Sequence, residues 1–503
     1  MNFISPAIKR YMMWRISSIK NFIQHPIDSQ KEVFNDLISR AEYTEFGRIH
    51  NFSSIHSLKD FKKSIPIHEY ENIKPYIDRI LHGEQNILWP SPISWFAQSS
   101  GTTTDKSKFI PVSQETLDDN HFRSGKDVLA IYLNLFPNSN VINGKCLTIG
   151  GSHQINKLNA DSYYGDLSAV VLQNMPFYTH VMRAPNLQVA LMEKWEEKLD
   201  AIIDDVYKED ITYIAGVPTW TLILIKRILD IAQTDNLLDV WPNLELYLHG
   251  GVSFKPYESQ FKSIIQSDKM HYLENYNASE GFFAAQNSFD DEGMVLFLNH
   301  GIFYEFMPTE EYLKENPETI QLRDVEIGKN YAIVISTNSG LWRYLVGDTI
   351  QFVSKHPYKI KVTGRLKHFI NAFGEELIID NSDYAINKAC ETTGAKVNDY
   401  TAAPIYMGDK NTGGHEWIIE FDHLPVSLEI FTQHLDNYLK ESNSDYEAKR
   451  QNDLASKMPI VHRMQIGGFN DWLKSKGKLG GQNKVPRLSN ERKYLDELLA
   501  WLR

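Results

Sequence analysis

Cysteine is nearly missing, with only Cys146 and Cys390 in a chain of 503 residues. So far apart, they support neither a disulfide framework nor a Cys-rich metal site, and a reducing cytoplasm fits. Long apolar runs are missing too. No stretch approaches the roughly 18 consecutive apolar residues of a membrane helix, so no span is expected. Excess positive charge is also missing. A formal net charge of −12 argues against a broad nucleic-acid-binding face, though not against a local positive site for an anionic substrate. The 17 histidines are scattered and never form H-E-x-x-H, which disfavours a metalloenzyme. Low-complexity tracts and internal repeats are absent.

What is present is enough for two or three domains. Hydrophobic residues make up 42% and aromatic ones 12%, enough for cores and for a ring-lined pocket. Residues 1–22 are amphipathic and carry Lys9, Arg10, Arg15 and Lys20. Without a continuous apolar core or a small-residue cleavage pattern, they read as a docked N-terminal helix rather than a targeting segment. The spacing of Val33, Phe34, Leu37, Ile38 and Ala41 predicts a helix over 30–41. Shorter helical stretches follow at 58–65 and 76–81, interrupted by Pro66 and Pro75. A long helix is expected over 114–135 and another over 187–206. Strands at 146–151, 211–216, 244–248 and 272–276 alternate with helices, which argues for an α/β sheet with functional loops at strand ends. From Met294 to Val362 short β runs take over and suggest a β-rich subdomain. A domain boundary falls near Arg365, dividing 1–364 from a smaller α+β unit, 365–503.

The most informative stretch is Gln98-Ser-Ser-Gly-Thr-Thr-Thr-Asp-Lys-Ser-Lys-Phe-Ile-Pro-Val112. It reads as a flexible phosphate-gripping loop leading into a strand. Hydroxyl donors surround Gly101, with Lys106 and Lys108 adding positive charge, as a triphosphate requires. The spacing is not that of a Walker loop, and taken alone such a stretch is more often a solvated turn. Four later segments add to it. His249-Gly-Gly-Val-Ser253 would let a flat ligand approach the backbone, or simply turn from strand to helix. Tyr276-Asn-Ala-Ser-Glu-Gly281 offers a ring to stack on a base, a phosphate donor in Ser279 and a hard oxygen ligand for Mg2+ in Glu280. Arg343-Tyr-Leu-Val-Gly-Asp348 ends in a carboxylate suited to ribose hydroxyls, or to pairing with Arg343 or Arg365. Gly477-Lys-Leu-Gly-Gly-Gln-Asn-Lys-Val-Pro-Arg487 is a glycine-rich basic loop, solvated or able to bring a cation to a reacting phosphate.

In this order, these segments resemble the adenylate-forming superfamily, and more closely the Gretchen Hagen family of acyl-acid amido synthetases. The resemblance covers nearly the whole chain. It runs from Ala41-Glu-Tyr-Thr-Glu-Phe-Gly47 and Leu88-Trp-Pro90 through the segments above to Lys484-Val-Pro-Arg487. Leu345 departs from the arginine common in plant members, and His368-Phe-Ile-Asn-Ala-Phe-Gly-Glu-Glu376 follows a bacterial-type pattern. The resemblance implies a firefly-luciferase-like architecture, with a large N-terminal α/β domain and a small mobile C-terminal lid. It also implies ATP- and Mg2+-dependent adenylation of a carboxylic acid, followed by acyl transfer to an amine such as an amino acid.

Carried over residue by residue, the resemblance assigns Ser99, Ser100, Gly101, Thr102 and Thr103 to the phosphates. It assigns Tyr276 to the adenine, Glu280 to Mg2+ and Asp348 to the ribose. Arg365 becomes a second ribose or phosphate contact, Lys484 the adenylation lysine and Lys367 the hinge. The acid pocket is sought near the nucleotide loop, among Trp95, Phe96, His121, Phe122 and Arg123. Arg123 is the candidate partner of the acid's carboxylate, or else a solvated arginine on a packed helix. An acyl-CoA ligase and a non-catalytic nucleotide-binding protein are the rival readings. The acid, the acceptor and the oligomeric state stay open.

Overall fold

The computed structural model describes residues 5–100, 107–150, 155–159, 161–192, 195–252, 254, 257–291, 293–312, 314–366, 369–375, 377–407, 413–451, 455–475 and 485–502. The helix Ser5–Gln24 buries Met12, Ile16, Ile19 and Phe22, one helical stripe, against Phe122–Leu135. Arg15 on it pairs with the buried carboxylate of Asp127. The N-terminal segment is thus a docked helix, as its pattern suggests. Pro26–Ala41 likewise buries Phe34, Leu37, Ile38 and Ala41.

Pro75 does not interrupt a helix, because Tyr70–Leu81 runs through it. Reciprocal capping between Glu69 and Asn72 holds its first turn. Pro75 lies on the exposed side of that helix, where a missing backbone N–H costs least. Gly47 sits where a Cβ would fall 2.1 Å from the Ala41 carbonyl oxygen, so that turn admits only glycine. The expected helix over 114–135 is not uniform. Thr116–His121 is wound in wider π turns, and buried Asn120 donates there to the carbonyls of Phe282 and His300. The stretch 187–206 forms two helices, Leu187–Ala190 and Trp195–Val206.

The centre is an eleven-stranded sheet. From edge to edge its strands are Ile302–Pro308, Asn330–Thr337, Tyr344–Lys355, Tyr358–Arg365, Met294–Leu296, Gly281–Gln286, His271–Ala278, Leu246–His249, Ile211–Gly216, Lys145–Ile149 and Arg183–Ala184. The first seven pair antiparallel in sequence of neighbours. From His271–Ala278 to the other edge the pairing is parallel. The β-rich stretch after Met294 is therefore the antiparallel half of the same sheet. Within that half, Asn330–Thr337 reads as a near-continuous apolar run, with Ile333, Val334 and Ile335 fully buried, because both of its faces are covered.

A second sheet includes Trp95–Ser100 paired antiparallel with Ser107–Val112 and parallel with Tyr163–Asp166. Residues beyond 365 build a three-stranded sheet of Lys396–Ile405, Gly414–His423 and Ile460–Met464. Alternation along its middle strand sends Trp417, Ile419 and Phe421 into a core with helices Ile379–Thr393 and Leu428–Ser442. Ile418 points the other way, toward Phe469, Trp472 and Leu498. Among the described residues no helix is long and apolar enough to cross a membrane.

Candidate active site

Two adjoining cavities lie at the carboxyl ends of the parallel strands, where the sheet switches from parallel to antiparallel. Strand ends at such a switch leave a crevice for ligands in open α/β sheets. The first cavity encloses about 480 Å3, the second about 460 Å3. They share Gly251, Val252, Asn275, Asn277, Ala278, Ser279 and Asn371.

Tyr276, Ser279, Glu280, Asp348 and Arg365 all line the first cavity. Asp348 and Arg365 are directly opposed across the hairpin of Tyr344–Lys355 and Tyr358–Arg365. Arg365 Nε donates to Asp348 Oδ1 at 2.8 Å. The Tyr276 hydroxyl donates to Asp348 Oδ2 at 2.7 Å. Burial, then the Asp348 carboxylate, holds the Tyr276 phenol well above its usual range, so it is a fixed donor. Its ring lies 4.9 Å from that of Phe283. Arg343 is not the partner of Asp348. It is buried elsewhere, with Nε 2.9 Å from Glu305 Oε2 and Nη1 donating to the Ile65 carbonyl at 2.7 Å.

Ser279 and Glu280 form the two-residue turn between His271–Ala278 and Gly281–Gln286. Glu280 therefore projects from a tight hairpin. Burial, then Glu280, raises the phenol of Tyr344 well above its usual range. Among the described residues no cluster of three or more His, Cys, Asp or Glu could hold a metal by itself. A single carboxylate such as Glu280 could still serve Mg2+, which keeps several waters and needs few protein ligands.

The base of the hairpin of Trp95–Ser100 and Ser107–Val112 stands between the cavities, with Lys108 lining the first and Gln98 the second. Ser99 opposes Lys108 in its register, so what reads as a loop is partly strand. Of Ser99 and Ser100 only the backbone is described, and Gly101, Thr102 and Thr103 lie outside the described residues, as do Lys367 and Lys484. At His249-Gly-Gly the glycines serve the chain itself. A Cβ on Gly250 would fall 2.4 Å from the Asn275 carbonyl oxygen, and Gly251 turns with φ +80. His249 is buried on the ring of Phe254, and burial lowers its pKa to about 3.

The second cavity is walled by Val128, Ile149, Leu167, Trp220, Phe282 and Phe373. Here the sequence-based search needs correction. Arg123 does not line it: its Nη1 donates to the Asn299 carbonyl at 2.8 Å and its Nη2 to Ser18 Oγ at 3.2 Å. Gly125 and Val128 of the same helix do line it. Two residues are about 200° of helical rotation, which turns Arg123 toward the N-terminal helix instead. Phe96 and His121 are core residues, and burial lowers the His121 pKa to about 4. Trp95 stacks on Tyr163. Ser168, Trp220 and Lys449 were not singled out from sequence, and no local pattern marks them.

The eleven-stranded sheet, the crevice at its switch and the smaller sheet domain after Arg365 form a fold that the chain shares with solved ligases. The chain resembles 2-hydroxyisobutyryl-CoA ligase bound to 2-HIB-AMP and CoA (TM-score 0.54, 13% identity, 94% of this chain and 92% of that one). It also resembles the GH3.15 acyl acid amido synthetase (TM-score 0.61, 18% identity, 96% and 95%). Residues 15–270 match the GH3 family N-terminal domain, 295–365 its central domain and 364–493 its C-terminal domain. The chain belongs to the GH3 family. Among its relatives, indole-3-acetic acid-amido synthetase GH3.3 of Arabidopsis thaliana is 24% identical, over 91% of this chain and 88% of its own. Jasmonoyl-L-amino acid synthetase JAR4 of Nicotiana attenuata is also 24% identical, over 65% and 67%.

Proposed function

We propose that this chain is an acyl-acid amido synthetase that activates a carboxylic acid with ATP and passes the acyl group to an amino acid. The supporting observation is the convergence of Tyr276, Glu280, Asp348 and Arg365 on one cavity that adjoins a second, largely apolar one. The named relatives act on indole-3-acetic acid and jasmonate, which makes an organic acid with an apolar body the substrate class.

A carboxylate is a poor electrophile and must be activated. Its oxygen bonds the α-phosphorus of ATP, the bond to the bridging oxygen breaks, and pyrophosphate leaves with the electron pair. The amine nitrogen then bonds the acyl carbon, AMP leaves with the pair from the broken C–O bond, and the nitrogen's proton passes to solvent. Ser99, Ser100, Gly101, Thr102 and Thr103 grip the phosphates in this scheme, with Ser279 a further donor. Tyr276 covers the adenine, Asp348 takes the ribose, and Arg365 is a second contact. Mg2+, when bound, neutralises phosphate charge, and Glu280 would hold it. Lys484 steadies charge on the transferring phosphoryl group. Lys367 is the hinge of the unit beyond 365, which turns between the half-reactions. A cytoplasmic setting fits two cysteines that are both free.

The test is pyrophosphate release from ATP·Mg2+ across a panel of carboxylic acids, with and without mixed amino acids. Acid-dependent release with an acyl-amino-acid product is expected. Release without amide, and with thioester when coenzyme A is added, would transfer the chain to the acyl-CoA ligases. ATP binding with no acid-dependent release would favour the nucleotide-binding reading.

A further inference from the structure

The second cavity contains a charge that adenylation does not need. Lys449, on the helix Ser444–Arg450 of the C-terminal unit, lines it while only 6% exposed. Its ammonium lies 4.8 Å from the ring centroid of Trp220, and among the described residues it forms no ion pair. A cation over an aromatic face recovers only part of what desolvation costs an ammonium. Methionine or leucine would fill the same space without that cost.

The helix is held firmly. Arg450 makes two bonds to Asp436, at 2.7 and 2.9 Å, and the Tyr446 hydroxyl donates to the same carboxylate at 2.8 Å. Asn443 accepts from the Tyr446 backbone N–H at 2.8 Å and donates to the Glu375 carbonyl at 2.9 Å. Lys449 is thus presented to the cavity by a braced element.

We infer that Lys449 receives the α-carboxylate of the amino-acid acceptor, an assignment that rests on the amide-forming reading above. The charge balance of the reaction selects this occupant. Adenylation turns the acid's own carboxylate into a mixed anhydride, so that anion is gone before the acceptor reacts. The acceptor's carboxylate is the anion still to be placed. Asp445, one turn earlier on the same helix, also lines the cavity, so this wall carries both signs of a zwitterion. Asp166, the other acidic group of the lining, acts on the buried Lys198 behind it. Adenosine-binding groups come from residues up to Arg365, whereas Lys449 comes from the unit beyond it. The acceptor would therefore be read by the element that arrives for the second half-reaction.

The test compares free amino acids with the matching amino-acid amides as acceptors, following amide product with an acid that supports pyrophosphate release. The wild-type enzyme should favour the free amino acid in KM. Lys449→Met should raise that KM about tenfold to a hundredfold, the loss of one charge-assisted bond, and should leave the KM of the amide acceptor nearly unmoved. Lys449→Arg should keep most of the preference. Wild-type enzyme that uses both acceptors equally overturns the inference, as does Lys449→Met acting equally on both. An equal loss of acceptor-free pyrophosphate release would also overturn it, by assigning Lys449 to the first half-reaction or to the fold. Wild-type enzyme that forms no amide at all refutes the underlying reading before any variant is made.

Discussion

The carboxylate of Asp348 allows the nucleotide assignment to be tested atom by atom. An ionised carboxylate has about four acceptor positions. Two are already used, by the Tyr276 hydroxyl at 2.7 Å and Arg365 Nε at 2.8 Å. The remaining two match the two hydroxyls of a ribose. A hydrogen bond to a charged group contributes about 1.5–3 kcal/mol, or roughly 10- to 150-fold in affinity. Asp348→Asn removes the charge and leaves one carbonyl oxygen, which Tyr276 or Arg365 can claim. The Kd for ATP should rise about 10²- to 10³-fold. The fold should survive, since the Arg365 side chain is 23% exposed and water can reach its guanidinium. Titration calorimetry with ATP and 2′-deoxy-ATP separates the cases. Wild-type protein should bind the deoxy compound at least about tenfold more weakly, and Asp348→Asn should barely distinguish the two. If the variant keeps the full penalty for the missing hydroxyl, Asp348 does not hold the ribose.

Three further outcomes are expected. Lys484→Ala should slow acyl-AMP formation roughly 10²- to 10³-fold in rapid-quench assays, and unchanged formation removes its assigned role. Asp127→Ala leaves Arg15 buried without its partner and should lower stability by about 3–5 kcal/mol in urea denaturation, with the helix Ser5–Gln24 the first element to lose protection from hydrogen exchange. Burial puts the pKa of His121 at about 4 and of His249 at about 3, below the unfolded value of about 6.5, so the unfolded chain binds the extra protons. Stability from both is complete above about pH 6.5 and lost as the pH falls toward those values, by about 2 kcal/mol each at pH 5. A denaturation midpoint unchanged between pH 7 and pH 5 would contradict their burial as neutral rings.

Which parts of the site were legible in the sequence follows from how each part is built. Tyr276 lies near the end of His271–Ala278, Glu280 in the turn after it, and Asp348 behind a glycine inside Tyr344–Lys355; in such short segments an aromatic, a carboxylate and a glycine together have few purely structural uses. Sequence alone leaves the partner of Asp348 open between Arg343 and Arg365. Only the pairing register decides it, by setting Arg365 directly opposite and sending Arg343 to Glu305. Arg123 failed for a similar reason: its helix reaches the cavity, but helical phase gives that face to Gly125 and Val128. Ser99 and Ser100 read as loop because β propensity is weak in serine, and pairing with Ser107–Val112 and Tyr163–Asp166 supplies what propensity lacks. Lys449 and Trp220 are harder still. Each alone is an ordinary helical residue, a solvated cation or a core ring, and no spacing links them across more than two hundred positions. Only tertiary packing puts the ammonium over the indole at a cavity wall, and only there does a buried charge with no ion pair among the described residues become a question about substrate. Candidate residues gathered in one short segment, such as Tyr276 and Glu280, thus leave a local signature, whereas a pairing such as Lys449 with Trp220 is assembled from distant segments and must be read from the fold.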